Sequence, residues 1–173
     1  MRTSLYILGD LAEEDIVFLS KSGELRDFAS GDVLVRKGET PDAIFFITRG
    51  GFDVLTPGGE RVARLTVGDV IGEMSFVEER PPNTNVLAYE AARVLAVPKP
   101  AIDAALAENP AFAGRFFKAL ATFLSDRLRR ATAENEGRDR DSVELDERLL
   151  DLVHVAGDRM HRLIALLEGH ERL

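Results

Sequence analysis

The chain has 173 residues, of which 45% are hydrophobic and 30% charged, and its formal net charge is −8. This length suits one domain with an appendage, and the composition is that of a soluble globular protein. No apolar run approaches the length of a membrane span, the N-terminus lacks a signal-peptide pattern, and the absence of cysteine excludes disulfides and thiolate metal sites. We therefore expect a cytoplasmic protein with no membrane segment, no metal and no broad polyanion-binding surface.

The first predicted element is an amphipathic helix over Leu11 to Lys21, in which Leu11, Ile16, Val17 and Leu19 stand among acids. Asp10 is the expected N-cap, because Glu13 follows three residues later as in a capping box.

Short runs of β-branched and aromatic residues, separated by glycines, occupy residues 26–97. Seven strands are predicted there: Val33–Val35, Ala43–Thr48, Phe52–Leu55, Arg61–Leu65, Asp69–Ile71, Asn85–Ala88 and Arg93–Val97. Short strands at regular spacing are typical of an antiparallel barrel or a jelly roll. The predicted fold class is α+β, with an antiparallel β-barrel or jelly roll flanked by an N-terminal helix and C-terminal helices.

Helical periodicity returns after Pro98 and Pro100, first in a short helix over Ile102 to Glu108. A longer helix is predicted to begin at Pro110 with Asn109 as its cap. Its apolar face consists of Phe112, Phe116, Leu120, Phe123, Leu124 and Leu128.

A charged linker is predicted from Glu134 to Ser142, and helical spacing resumes over Val143 to Leu167. We divide the chain into a first domain of residues 1–132, which includes the long helix, and a second segment of residues 133–173.

The segment from Gly68 to Phe76 reads Gly-Asp-Val-Ile-Gly-Glu-Met-Ser-Phe and carries the clearest chemical pattern. Gly72 permits close approach of the backbone to a ligand, and the Glu73 carboxylate can accept two hydroxyl hydrogen bonds. The amides of Met74 and Ser75 open a short turn or helix, where unpaired N–H groups favour an anion. A carboxylate for a ribose next to amides for a phosphate indicates a nucleotide pocket.

The order of these elements resembles the cyclic nucleotide-binding domain family over roughly Leu8 to Thr132. Three segments carry the resemblance: Ser30–Glu39 for the first two strands, Ala43–Leu55 for the central hairpin, and Val67–Ser75 for the entry to the phosphate-binding cassette. The resemblance implies the fold of catabolite-activator-type sensor domains, kinase regulatory subunits and nucleotide-gated channels. It also implies cAMP or cGMP as the ligand.

The cassette departs from the family pattern at one position. Counted from Gly72, Pro82 stands where nucleotide-binding members have an arginine for the cyclic phosphate, and a proline offers neither charge nor amide proton. One charge-assisted hydrogen bond contributes about 1.5–3 kcal/mol. Arg80 lies two residues earlier as a candidate substitute, and Asn83 and Thr84 follow Pro82 as further candidate contacts.

By the same resemblance, the long helix supplies a lid over the base, and Thr132 falls near the position of a base-contacting hydroxyl. The expected ligand-binding set is therefore Gly72, Glu73, Met74, Ser75, Arg80, Asn83, Thr84 and Thr132. No nucleophile, base and acid stand in a catalytic arrangement, so no enzymatic activity is expected. His154, His161 and His170 are interpreted as solvated or interface residues, not as metal ligands.

The last 41 residues, from Ala133 to Leu173, contain eleven acidic residues against six arginines. One predicted helix with this charge does not form a DNA reader, so no DNA binding is expected. Its apolar seam, from Leu145 to Leu167, is expected either to fold back on the barrel or to pair with the long helix of a second chain. We expect a homodimer through the C-terminal helices and an unidentified protein partner. The family resemblance implies a dimer through the long helix, for which Phe116, Leu120, Phe123 and Leu128 are suited.

Two functions remain open at this point. The first is a stand-alone regulatory sensor, in which nucleotide binding orders the loop of residues 72–86 and moves the helices. The second is a degenerate domain that has lost the ligand and acts as a dimerisation or protein-interaction module. Pro82 favours the second reading, and the intact Gly72–Ser75 run favours the first.

Overall fold

A computed structural model describes residues 6–135 and 147–170 of the chain. Two compact units are present. We call residues 17–108 the sheet unit, and the described parts of residues 1–16 and 109–173 the helical unit.

The structure contains eight strands and six helices in its described part. The strands are β1 (Glu24–Phe28), β2 (Val33–Val35), β3 (Ala43–Arg49), β4 (Gly51–Leu55), β5 (Arg61–Thr66), β6 (Val70–Ile71), β7 (Asn85–Ala88) and β8 (Ala92–Pro98). The helices are α1 (Tyr6–Asp10), α2 (Glu13–Ser22), α3 (Glu73–Glu78), α4 (Lys99–Glu108), α5 (Pro110–Asn135) and α6 (Glu147–His170).

The sheet unit contains two four-stranded antiparallel sheets with the strand orders β1-β8-β3-β6 and β2-β7-β4-β5. Both sheets contribute to one hydrophobic core, because Phe45 and Val94 from the first pack with Phe52 and Val86 from the second. The antiparallel jelly-roll fold predicted from the sequence is confirmed, and the two sheets are not closed into a barrel.

Strand β3 is buried on both of its faces. Phe45 and Ile47 belong to the shared core, while Ile44 and Phe46, which alternate with them, are also fully buried. On the neighbouring strand, Leu95 lies so close to Gly23 that a Cβ atom there would stand 2.5 Å from its Cδ1. The first sheet is therefore covered on its outer face, which explains why β3 reads as a continuous apolar run.

The helical unit buries one face of α5 and one face of α6, and α1 contacts both helices. The buried face of α5 includes Phe112, Phe116, Ala119, Leu120 and Phe123. The buried face of α6 includes Ala156, Met160, Leu163 and Leu167. The described part of the α6 seam therefore packs within its own helical unit, which is neither of the two arrangements expected from the sequence.

Charged side chains reinforce this packing. The Asp15 carboxylate is buried and accepts two hydrogen bonds from the Arg115 guanidinium, at 2.7 and 2.8 Å, and one from the Ala12 amide, at 2.7 Å. Similar contacts join Lys118 to Asp10, Arg162 to Glu13, and Arg159 to the carbonyl oxygens of Leu8 and Gly9.

The expected elements differ from the observed ones in a few places. All seven predicted strands are present within one or two residues at their ends, and the short turn or helix expected at Met74 and Ser75 is α3, whereas α1 and β1 are additional. Asp10 is not the N-cap of α2, because it ends α1, and the capping hydrogen bond runs from the Ala12 amide to Asp15. Helix α4 begins at Lys99, since Pro100 is tolerated in a first turn. Residues 136–146, with most of the predicted linker, lie outside the described residues.

Candidate functional site

Gly72 forms the corner between β6 and α3. Its backbone is left-handed, with φ 93° and ψ −2°, and a Cβ atom at this position would stand 2.9 Å from the carbonyl oxygen of Ala43. A left-handed conformation and a close backbone neighbour both require glycine. The chain therefore turns sharply at the end of β6, and α3 begins at the next residue.

The three residues after Gly72 begin α3 and differ in exposure. The side chain of Glu73 is only 3% exposed and Ser75 is buried, while Met74 is 45% exposed. The Phe76 amide donates to the Gly72 carbonyl at 3.1 Å and closes the first turn. Within the described residues every buried side-chain nitrogen and oxygen has a hydrogen-bond partner, so Glu73 is held in a satisfied environment.

The loop from Glu79 to Thr84 leads from α3 to β7. Glu79 ends α3 in a left-handed conformation with φ 53°, which is uncommon for a residue with a side chain. Arg80 and Asn83 are exposed, while Pro82 and Thr84 are half-buried. Two of the predicted ligand contacts in this loop therefore face solvent.

One hydrogen bond joins this loop to the turn that follows β2, and a second joins that turn to the first residue of β7. The Gly38 amide donates to the Pro82 carbonyl at 2.9 Å, and the Lys37 amide donates to the Asn85 side-chain oxygen at 2.9 Å. Within the turn, the Glu39 amide donates to the Arg36 carbonyl at 3.1 Å. We call residues 36–39 the β2 turn. The contact between Gly38 and Pro82 is not predictable from the sequence, in which Gly38 indicates a turn but not its partner.

The structure places the predicted site residues in two groups. Gly72 to Ser75 are consecutive at the start of α3, and Arg80, Asn83 and Thr84 belong to the loop that follows in the same sheet unit. Thr132 belongs to α5 in the helical unit, and its side chain lies outside the described ones.

An open cleft of about 310 Å³ in the sheet unit lies apart from these residues. Its lining consists of Asp27, Phe28, Ala29, Arg49, Ala91 and Ala92, and includes none of the predicted ligand contacts. On its rim, Arg93 donates to Asp27 at 2.7 and 3.0 Å. The hydrogen bond from Arg93 lowers the pKa of Asp27 below its ordinary value.

Arginines of the sheet unit fall into paired and unpaired groups. Arg26, Arg61, Arg64 and Arg93 all form ion pairs with aspartate or glutamate. Arg36, Arg49 and Arg80, together with Lys37, are exposed and form no ion pair among the described residues. The cations on either side of the contact between the β2 turn and the Glu79–Thr84 loop are therefore available to an anion.

The described residues contain no candidate metal site, because no three histidine, cysteine, aspartate or glutamate side chains lie together among them. None of the helices among them combines the length and the apolar character that a membrane span requires.

Comparison with known proteins identifies the fold and its family. Residues 25–109 match the family model of the cyclic nucleotide-binding domain. Glutaminase 1 of Bradyrhizobium diazoefficiens is 30% identical over 128 residues, which are 74% of this chain and 21% of that protein. The Pycsar effector protein XpPycTIR of Xanthomonas perforans is 30% identical over 115 residues, which are 66% of this chain and 38% of that protein.

Among solved structures, a cyclic nucleotide-binding domain from Methylobacillus flagellatus has a TM-score of 0.70 with 18% identity. The match covers 82% of this chain and 85% of that one, and it shows a shared fold. The chain spans less than half the length of the two relatives, so their activities as whole proteins do not transfer with the match. Through the domain that matches over residues 25–109, the chain belongs to the cyclic nucleotide-binding domain family.

Proposed function

We propose that the protein is a non-enzymatic regulatory sensor that binds a cyclic nucleotide, cAMP or cGMP, next to α3. The observation that carries this proposal is the buried Glu73, placed directly after the left-handed corner at Gly72. A carboxylate shielded from water and held in one position is a strong acceptor for the hydroxyl group of a ribose. Its placement in a domain of this family supports the assignment of that ligand class.

The proposed output of binding is a rearrangement of the helices, which passes occupancy of the pocket to a second copy of the chain or to another protein. Only a ligand with different affinities for the two arrangements can shift the equilibrium between them. The loop of residues 79–84 supports this role, because the exposed side chains of Arg80 and Asn83 are accessible to a ligand.

A homodimer through α5 belongs to the same proposal. Helix α5 carries a second apolar stripe on the side opposite its buried face. Its members are Gly114, Phe117, Ala121, Leu124 and Leu128, at alternating steps of three and four, and Phe117 and Leu128 are 50% and 69% exposed. This spacing is that of a coiled-coil seam, and its glycine and alanine allow close approach of a second helix.

The alternative is a degenerate domain that no longer binds nucleotide and acts through its helices. The observation in favour is Pro82, which removes the expected phosphate cation and whose carbonyl is already bonded to Gly38. In this alternative the dimer stripe retains its role and the region around Glu73 has a structural one.

Isothermal titration of the nucleotide-free protein with cAMP and cGMP separates the two. We expect micromolar binding to the wild type and a loss of tenfold or more for Glu73→Gln, because one charge-assisted hydrogen bond contributes about 1.5–3 kcal/mol. Glu60→Gln is the matched control, since Glu60 is an exposed acid between β4 and β5, outside the candidate site. Absence of binding to the wild type at about 1 mM nucleotide would establish the degenerate alternative.

A further inference from the structure

The β2 turn and the loop after α3 are joined by a hydrogen bond at the position where the expected phosphate arginine is absent. The Gly38 amide is bonded to the carbonyl oxygen of Pro82 itself, and the Lys37 amide is bonded to the Asn85 side chain. Both bonds are donated by backbone amides of the turn. They therefore hold the backbone from which the Arg36 and Lys37 side chains extend next to Pro82.

Arg36 and Lys37 are the two consecutive cations of this turn, and both are exposed. Neither forms an ion pair with a described residue, although Glu39 belongs to the same turn and Glu78 and Glu79 end α3. Four other arginines of the sheet unit are paired with acids. Lys21, Arg49 and Arg80 of the same unit are also exposed without an ion pair among the described residues, but Arg36 and Lys37 are the two that belong to the turn whose backbone is bonded to Pro82.

We infer that Arg36 and Lys37 supply the positive charge for the phosphate of the ligand, in place of the arginine that Pro82 replaces. This inference rests on the proposed function and names the residues that determine phosphate binding in the same site. Arg36 offers a planar pair of donors and Lys37 a flexible ammonium group, and both are suited to a phosphate oxygen. The cation thus comes from the neighbouring turn, while Pro82 contributes rigidity and a carbonyl that anchors that turn.

The test compares cAMP with adenosine, which has the base and ribose but no phosphate. For Arg36→Gln/Lys37→Gln we expect the affinity for cAMP to fall by about tenfold or more, with little change for adenosine. The loss should shrink between about 50 mM and about 300 mM salt, since exposed charges are screened. Lys21→Gln/Arg49→Gln is the matched control, because it removes the same charge from exposed positions outside the turn.

A second comparison adds Pro82→Arg to the wild type and to the double variant. If the turn already neutralises the phosphate, the new arginine should raise the affinity of the double variant more than that of the wild type, since the two sources of charge then act on one group. Equal gains in both backgrounds would show independent sites and overturn the inference.

The possible results distinguish this inference from the proposed function. If the wild type binds cAMP and the turn variant binds it as well as the Lys21→Gln/Arg49→Gln control does, the function stands and the role of Arg36 and Lys37 is refuted. If the wild type binds neither cyclic nucleotide at about 1 mM, the proposed function fails and this inference fails with it.

Discussion

Gly72 connects the fold to the candidate site through a single backbone conformation. The positive φ of Gly72 and the nearby carbonyl oxygen of Ala43 each disfavour a side chain at this position. Because Glu73 follows immediately, any adjustment at this corner is passed to the buried carboxylate. A side chain introduced at position 72 is therefore expected to reduce both the stability of the protein and its affinity for the ligand.

Replacing Gly72 with alanine should destabilise the protein strongly. Gly59→Ala is the matched control, because Gly59 also has a positive φ, of 85°, but a Cβ atom there meets nothing within 4 Å. We expect Gly59→Ala to lower the free energy of unfolding by about 1–2 kcal/mol, the backbone cost alone. Gly72→Ala should cost about 1 kcal/mol more, because the carbonyl of Ala43 must also move. Urea denaturation of both variants measures the difference, and equal losses would contradict the steric argument.

At the scale of single residues, sequence analysis located the start of the site but not its surroundings. Gly72 and Glu73 stand in a short local motif, so their roles follow from neighbours in the chain. The bond between Gly38 and Pro82 joins residues far apart in sequence, and no local pattern predicts it. Thr132 is a candidate through the family resemblance alone, and its side chain lies outside the described ones.

Among the elements, those missed from the sequence are the ones with weak local signals. Strand β1 has three charged residues among five and pairs only with β8, as an edge strand, where Arg93 bonds to Asp27. Helix α1 has five residues, too few for periodicity, and its contacts with α5 and α6 stabilise it. Longer strands such as β3 were predictable because apolar and β-branched residues fill them.

The pair of strands β4 and β5 carries an ion pair that should make the stability of the sheet unit depend on pH. Arg64 donates to both carboxylate oxygens of Asp53, at 2.8 and 3.0 Å, and its guanidinium lies over the Tyr89 ring at 4.2 Å. The hydrogen bond from Arg64 holds the pKa of Asp53 below its ordinary value of 3.8. A lowered pKa stabilises the folded state above the ordinary value, and this contribution is lost as the pH falls through the lowered pKa.

We therefore expect Asp53→Asn to reduce the free energy of unfolding at about pH 6, and to have a progressively smaller effect as the pH falls below 3.8. Urea denaturation across this range gives the measurement. Asp27→Asn is the control, since Asp27 also pairs with an arginine but its side chain is 66% exposed against 17% for Asp53. Solvent screening should make the Asp27 effect smaller. A pH-independent loss in Asp53→Asn would indicate altered packing in place of a lost ion pair.

At the scale of the whole molecule, α5 has one face that packs within the chain and another that is proposed to contact a second copy. One face, with Phe116 and Phe123, is buried in the helical unit, so it is not available to a second chain in this arrangement. The stripe from Gly114 to Leu128 lies on the opposite face and keeps large apolar side chains exposed. Of the residues suited by resemblance to a dimer face, Phe116, Leu120 and Phe123 are buried, whereas Leu128 is exposed and belongs to the stripe. Periodicity alone does not separate the stripe from the buried face, because apolar residues occupy both.

Assembly through the exposed stripe makes a prediction that differs from one based on the buried face. Phe117→Glu/Leu128→Glu should leave the fold intact and convert a dimer to a monomer, because two acids in a helix–helix seam meet like charges from the second copy. Analytical ultracentrifugation at micromolar concentration measures the mass, and circular dichroism checks the fold. Ala111→Glu, at an exposed position of α5 outside the stripe, should stay dimeric. A wild type that sediments as a monomer would contradict the proposed assembly, and a double variant that remains dimeric would move the interface away from this stripe.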